Sequence, residues 1–208
     1  SFNVSGVTNS GSVGNCTVTF ESGAAEISAT SEVTNAGCAA ILNAYSDGGD
    51  ISLSNVEICN NTGKAISVKA VGKGGNTGYA GGLLGNLTSA TATGDTWLRV
   101  DGTVTVDGDF EVTGGAHAGG LCGAASNAYS VSVDGYVNTM KVSANNGYAG
   151  GMLGSVNPGS DDKKVVLHDC LNAGAVSGKN TGGLIGNYNN KGTLELSGCA
   201  YLKADGMT

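Results

Sequence analysis

Proline occurs once in the 208 residues, as Pro158, and arginine once, as Arg99. Charged residues make up 13% of the chain and aromatic residues 5%. Each scarcity removes a class of protein. A single proline excludes collagen despite the 37 glycines, because a triple helix needs abundant proline in a strict three-residue period. Low charge beside 40% hydrophobic residues argues against disorder. One arginine and a net charge of −7 speak against a nucleic-acid partner, which would need clustered cations. The pair Lys163-Lys164 follows Asp161-Asp162 and reads as a solvated turn. No apolar run approaches the roughly 18–20 residues that span a bilayer, so no membrane insertion is expected. Ser1-Phe2-Asn3 does not resemble a signal peptide, which suggests a processed or excised segment.

Catalytic and metal-binding patterns are also scarce. No H-E-x-x-H occurs, and Gly178-Lys179 lacks the earlier glycine of a phosphate loop. Cys16, Cys38, Cys59, Cys122, Cys170 and Cys199 never form C-x-x-C, so neither structural zinc nor any other cofactor is expected. Most of these cysteines are expected to be reduced, buried small hydrophobes, with one or two disulfides left open. His117 lies near Cys122, but nothing supplies the oriented third member of a nucleophilic set. Asp101, Asp107 and Asp109 cluster, as do Asp47 and Asp50. Their glycine flanks suit turns better than calcium binding or sugar chemistry.

What the chain has is repetition. Ala80-Gly81-Gly82-Leu83-Leu84-Gly85 returns as Ala118-Gly119-Gly120-Leu121-Cys122-Gly123, Ala149-Gly150-Gly151-Met152-Leu153-Gly154 and Thr181-Gly182-Gly183-Leu184-Ile185-Gly186. Cys38-Ala39-Ala40-Ile41-Leu42-Asn43 reads as a degraded first copy, which gives steps of 42, 38, 31 and 32 residues. Self-similarity at this period marks a stacked repeat protein. Between copies lie short alternating runs such as Ile51-Ser52-Leu53-Ser54, Ala65-Ile66-Ser67-Val68, Thr103-Val104-Thr105-Val106 and Val165-Val166-Leu167, which indicate strands with one buried face.

A second recurring element is Asn-x-Gly, at Asn9, Asn35, Asn61, Asn76, Asn172 and Asn180. Asn and Gly both tolerate positive φ, so these sets read as corners between strands. The double glycine reads as a tight bend or a close approach of backbones. Together these features predict an all-β fold, a right-handed parallel β-helix (β-solenoid) of repeats of about 31–42 residues that forms one domain over 1–208. A β-sandwich is the competing architecture. It would not require the same hexapeptide in every unit.

The last third carries a resemblance. Gly182-Gly183-Leu184-Ile185-Gly186-Asn187, followed by Thr193-Leu194-Glu195-Leu196-Ser197-Gly198-Cys199-Ala200-Tyr201, resembles the GLUG-type repeat, and His168-Asp169-Cys170-Leu171-Asn172-Ala173-Gly174 is similar to its later portion. The likeness covers roughly residues 38–202. The poor copy at 38 and the long polar insert after 85 depart from the pattern. Such repeats occur in bacterial surface proteins, including adhesin-like proteins and non-catalytic regions of IgA-specific metallopeptidases. The resemblance implies an extracellular, secreted or cell-surface-attached bacterial β-solenoid and carries no catalytic residues to transfer. The expected role is therefore non-catalytic, as an adhesin-like, presenting or spacer module. Its partners would be a host glycan or host protein, and adjacent domains or further repeats of the same polypeptide. The alternative is a carbohydrate-active β-helix enzyme, a polysaccharide lyase or glycosidase. Repeat-like residues run to Leu202 without a polar cap, so further repeats or a capping domain are expected to follow.

One column is a candidate binding site. Tyr79, His117 and Tyr148 each precede a hexapeptide, with Gly37 and Asn180 in the outer copies. Stacked on an exposed face, the three would form a flat aromatic strip suited to a sugar or a protein. The plainer reading is a ladder that holds the repeats in register.

Overall fold

A computed structural model describes residues 11–22, 26–31, 37–89, 96–127 and 129–203. Among these residues helix is confined to one short 3₁₀ turn, Lys73–Gly75. The rest is strand and turn, as expected from a chain rich in Gly, Asn, Thr and Val, which are poor helix formers.

The strands associate in four sheets. The first runs Gly11–Phe20, Ile51–Asn60, Thr96–Val100, Tyr129–Asp134, Lys164–His168, Thr193–Ser197, with Val104–Asp107 also paired to Ile51–Asn60. The second contains Glu26–Ser31, Ile66–Gly72, Phe110–Gly114 and Val176–Gly182, and also Cys38–Ala39, Tyr79–Gly81 and His117–Gly119, all joined through the long strand Lys141–Gly150. The third runs Asn43–Asp47, Leu84–Thr88, Cys122–Ser126, Leu153–Asn157, Ile185–Tyr188. The fourth is Val137–Asn138, Leu171–Asn172 and Ala200–Tyr201. Every pairing among the described residues is parallel and joins a strand to its counterpart one repeat away. The antiparallel pairs of an ordinary β-sandwich are absent among them.

Register makes the core. Ile51, Leu98, Val131, Val165 and Leu194 form one column, and Leu53, Val100, Val133, Leu167 and Leu196 another. All but the last member of each are buried. A one-residue slip would turn these side chains outward, at a cost of about 1.5–3 kcal/mol for each large one, so the alternation fixes the pairing. Val68, Val112, Val142 and Val176 repeat the arrangement on the second sheet.

The hexapeptide needs its glycines for three different reasons. A Cβ on Gly81 would meet the carbonyl oxygen of Leu84, three residues on, where the backbone doubles back. On Gly82 it would strike the Met140 side chain and the Gly120 carbonyl. On Gly85 it would strike the Ala44 carbonyl in the preceding repeat. Gly119, Gly120 and Gly123 repeat the same crowding one unit later, with Asn138 in the place of Met140. Close approach of backbone and core side chains, not positive φ, explains the Gly-Gly signature.

Positive φ is used elsewhere. Asn15, Asn55, Gly102, Gly135, Asp169 and Gly198 have φ of 50°, 51°, 72°, 69°, 49° and 64° and follow one another at the end of the first sheet. In the later repeats this column is the corner between the first sheet and the strands after it, and at Asn15 and Asn55 it bends the continuous strands Gly11–Phe20 and Ile51–Asn60. Only Gly, Asn and Asp visit that region readily, and those are the residue types found.

The structure corrects several sequence expectations. Cys38 pairs with Tyr79 and Ala39 with Ala80, so the first degraded copy begins at Ala39 and not at Cys38. Asn43 then occupies the Leu84 position. Of the Asn-x-Gly sets, Gly63 and Gly78 do take positive φ, at 71° and 113°. Asn172 does not. It points inward, fully buried, and its side chain bridges to Gly174 through N–H and C=O contacts of 3.1 and 3.0 Å. Asn180 lies inside a strand. The sets at Asn9 and Asn35, and residues 90–95 of the polar insert, lie outside the described residues. All six cysteines are free thiols. Cys122 and Cys170 are buried, whereas the alternation that sends Ile58 inward turns Cys59 toward solvent.

Candidate functional site

Tyr79, His117 and Tyr148 are brought together. The strands Tyr79–Gly81, His117–Gly119 and the end of Lys141–Gly150 pair in register, so the three rings sit directly above one another. Their ring centroids are 5.3 and 5.5 Å apart, within the range of about 4.5–7 Å where aromatic pairs attract. The planes are inclined by 52° and 31°, so the column is not the flat pavement expected of coplanar rings. It is a tilted stack, half-buried along its length. Cys38 stands before Tyr79 and Asn180 follows Tyr148, so the outer neighbour is Cys38 rather than Gly37. The Asn180 amide donates to the Gly147 carbonyl at 3.1 Å and closes that end.

His117 is the electrostatic centre of this column. Burial, chiefly, lowers its pKa below 6.5, so the neutral imidazole predominates at pH 7. Its Nδ1 is buried without a hydrogen-bond partner. Gly147 lies against that nitrogen, and a Cβ there would contact it at 2.9 Å. The adjoining column is polar, running Ser28, Lys69, Thr113, Ser143 and Ser177, with Thr113 Oγ1 and Ser143 Oγ 3.0 Å apart. Lys69 stands in the same column as Thr113, and beyond it Glu111 and Lys141 form an exposed ion pair at 3.3 Å.

His117 and Cys122 do not form a nucleophilic pair. Cys122 is fully buried, donates to the Ala124 carbonyl at 3.2 Å, and burial pushes its thiol up to about 12. A group held that far from thiolate is inert at neutral pH. Asp101, Asp107 and Asp109 are all exposed and flank Gly102 and Gly108, whose φ of 72° and 92° define turns. Among the described residues no group of three or more His, Cys, Asp and Glu side chains is assembled as a metal site.

One polar cluster escaped sequence reasoning. His168 Nδ1 lies 2.7 Å from Asp134 Oδ1, and its Nε2 lies 3.6 Å from Asp169 Oδ2. The Asp134 hydrogen bond, then the Asp169 charge, raises the His168 pKa. Asp134 is 34 residues away in sequence and becomes a neighbour only through the register Asp134–His168. No local motif announces that contact.

Comparison with known proteins adds no relative: no family model, no curated protein and no solved structure matches this chain.

Proposed function

We propose that the chain is a right-handed parallel β-helix of GLUG-like repeats that works outside a bacterial cell as a presenting and adhesive module. It is a scaffold rather than an enzyme. Its reading as a rod rests on parallel ladders that run from Gly11 to Tyr201, interrupted by a bulge between Ala144 and Tyr148, which give a stiff body with side chains projected at nearly fixed intervals. Adhesion rests on one observation: the stacked Tyr79, His117 and Tyr148 rings, half-buried beside a polar column that holds Lys69, Thr113 and Ser143. Aromatic rings with polar tips are effective anchors because they bring large contact area at little entropic cost. A host glycan or host protein is the partner class that fits. Tilting leaves the phenol hydroxyls and ring edges for hydrogen bonds alongside apolar contact.

The test is an array of glycans and host-matrix proteins probed with the wild type and with the Tyr79→Ala/Tyr148→Ala double variant. Circular dichroism and thermal melting check that the variant keeps its fold. Specific binding by the wild type, lost in the variant, is the expected result. Binding that survives the double substitution would move the site elsewhere. No binding at all would reduce the module to a spacer.

A further inference from the structure

The long strand Lys141–Gly150 leaves its ladder at one place, and that place adjoins the aromatic column. Pairing with the following repeat runs Val142–Val176, Ser143–Ser177 and Ala144–Gly178, then resumes at Tyr148–Asn180. Asn145, Asn146 and Gly147 stand against Lys179 alone, so the chain bulges there. Pairing with the preceding repeat skips the same residues, from Gly114–Ala144 to His117–Tyr148. Asn145 and Asn146 are exposed and Gly147 is half-buried. Glycine at 147 is dictated by crowding, because a Cβ would strike the Ala116 carbonyl and lie 2.9 Å from His117 Nδ1. The fold therefore requires, directly after an exposed asparagine, the residue whose backbone nitrogen no side chain shields. Asn146-Gly147 is the only Asn-Gly in the chain.

We propose that Asn146 is a site of self-modification, which deamidates through a succinimide to aspartate and isoaspartate. The Gly147 backbone nitrogen gives up its proton to hydroxide and attacks Asn146 Cγ. A bond forms between these two atoms, the Cγ–Nδ2 bond breaks, and the amide leaves as ammonia after taking a proton from water. Water then opens the five-membered ring at either of its carbonyls. One opening restores the main chain and leaves aspartate; the other leaves isoaspartate, in which the main chain runs through Cβ and Cγ. The net change consumes water and releases ammonia, and it calls for no enzyme, oxidant or cofactor. Attack within the chain supplies the rate, since nucleophile and amide are held next to each other. The Asn146 and Tyr148 N–H groups stay tied to the Gly115 and Ala116 carbonyls at 3.1 and 3.0 Å, so the new carboxylate is kept beside the column. Isoaspartate also inserts a methylene into the main chain just before Gly147 and Tyr148. This modification stands whether or not the column binds a ligand.

Peptide mapping of the folded 208-residue chain, aged at mildly alkaline pH in water enriched in heavy oxygen, tests this directly. Asn146 is expected to take up one heavy oxygen ahead of the other asparagines, at a rate that rises in proportion to hydroxide. Isoaspartate is expected to be the larger product. Asn146→Gln, whose longer side chain closes the ring far more slowly, is expected to keep its amide. In the aged wild type the His117 imidazole resonances are expected to appear as two sets, and in aged Asn146→Gln as a single set. Asn146 that stays intact in the folded chain while it converts in urea would overturn the proposal, because the bulge would then protect the bond. Conversion to aspartate without isoaspartate would also overturn it, since no succinimide would have formed. An unchanged single set of His117 resonances in fully converted protein would overturn the effect on the column.

Discussion

Asn138 donates from Nδ2 to Asn172 Oδ1 at 2.8 Å in the interior, and both side chains are wholly buried. Each amide also bridges to the backbone two residues on: Asn138 to Met140 at 3.1 and 3.2 Å, Asn172 to Gly174 at 3.0 and 3.1 Å. Buried amides tolerate this position because the nitrogen and the oxygen of each side chain find partners in the ladder.

Replacing Asn172 by Leu removes the acceptor for Asn138 and both bonds at Gly174. Leaving a buried polar group unpaired costs about 1–3 kcal/mol each, so the substitution is expected to destabilise by at least about 2 kcal/mol. Urea denaturation measures it. Exposed Asn146→Leu is the control and should change stability by less than about 0.5 kcal/mol.

Glycine substitutions should separate crowding from conformation. A Cβ on Gly151 would strike the Asn172 amide and the Gly183 carbonyl, with no room to yield. Gly151→Ala is expected to cost more than about 4 kcal/mol and to abolish soluble expression or cooperative melting. Gly63 meets nothing within 4 Å and is constrained only by its φ of 71°. Gly63→Ala should cost about 1–2 kcal/mol, and Gly63→Asn less.

The two histidines should titrate on opposite sides of 6.5. His117, depressed chiefly by burial, favours folding in its neutral form. Its contribution is present above the unfolded pKa and is lost as the pH falls through 6.5 toward its lower folded value. His168, raised by Asp134 and then Asp169, contributes in its charged form. That contribution is present below the unfolded pKa and is lost as the pH rises through the folded value. Titration of the imidazole carbon resonances by NMR reads both. Asp134→Asn should bring the His168 pKa down and leave His117 in place.

The hexapeptide made the stacking legible, because Ala80, Ala118, Ala149 and Thr181 do align across the second sheet. The same string misled at its weakest copy. Cys38-Ala39-Ala40 offers several small residues in a row, and only the strand pairing, which sets Cys38 under Tyr79, decides that Ala39 stands under Ala80. Asn-x-Gly was ambiguous for a different reason: either the glycine takes positive φ, as at Gly63, or the Asn side chain closes the turn from inside, as at Asn172. The aromatic column could be read from the residue before each copy. Its tilt could not, since ring orientation is set by packing between repeats and not by spacing along the chain.

Spin-label distances across the first sheet test most directly whether the repeats stack in one continuous register. Ser52, Arg99, Ser132, Val166 and Glu195 occupy one column, so Ser52 and Glu195 stand four strands apart. At about 4.8 Å per strand their backbones are about 19 Å apart. Nitroxide amino acids placed at these two positions are expected to give a single narrow distribution near that distance, widened only by the label arms. A broad distribution, or one centred beyond about 35 Å and so far past four strand spacings, would contradict the stacked register on which the binding column depends.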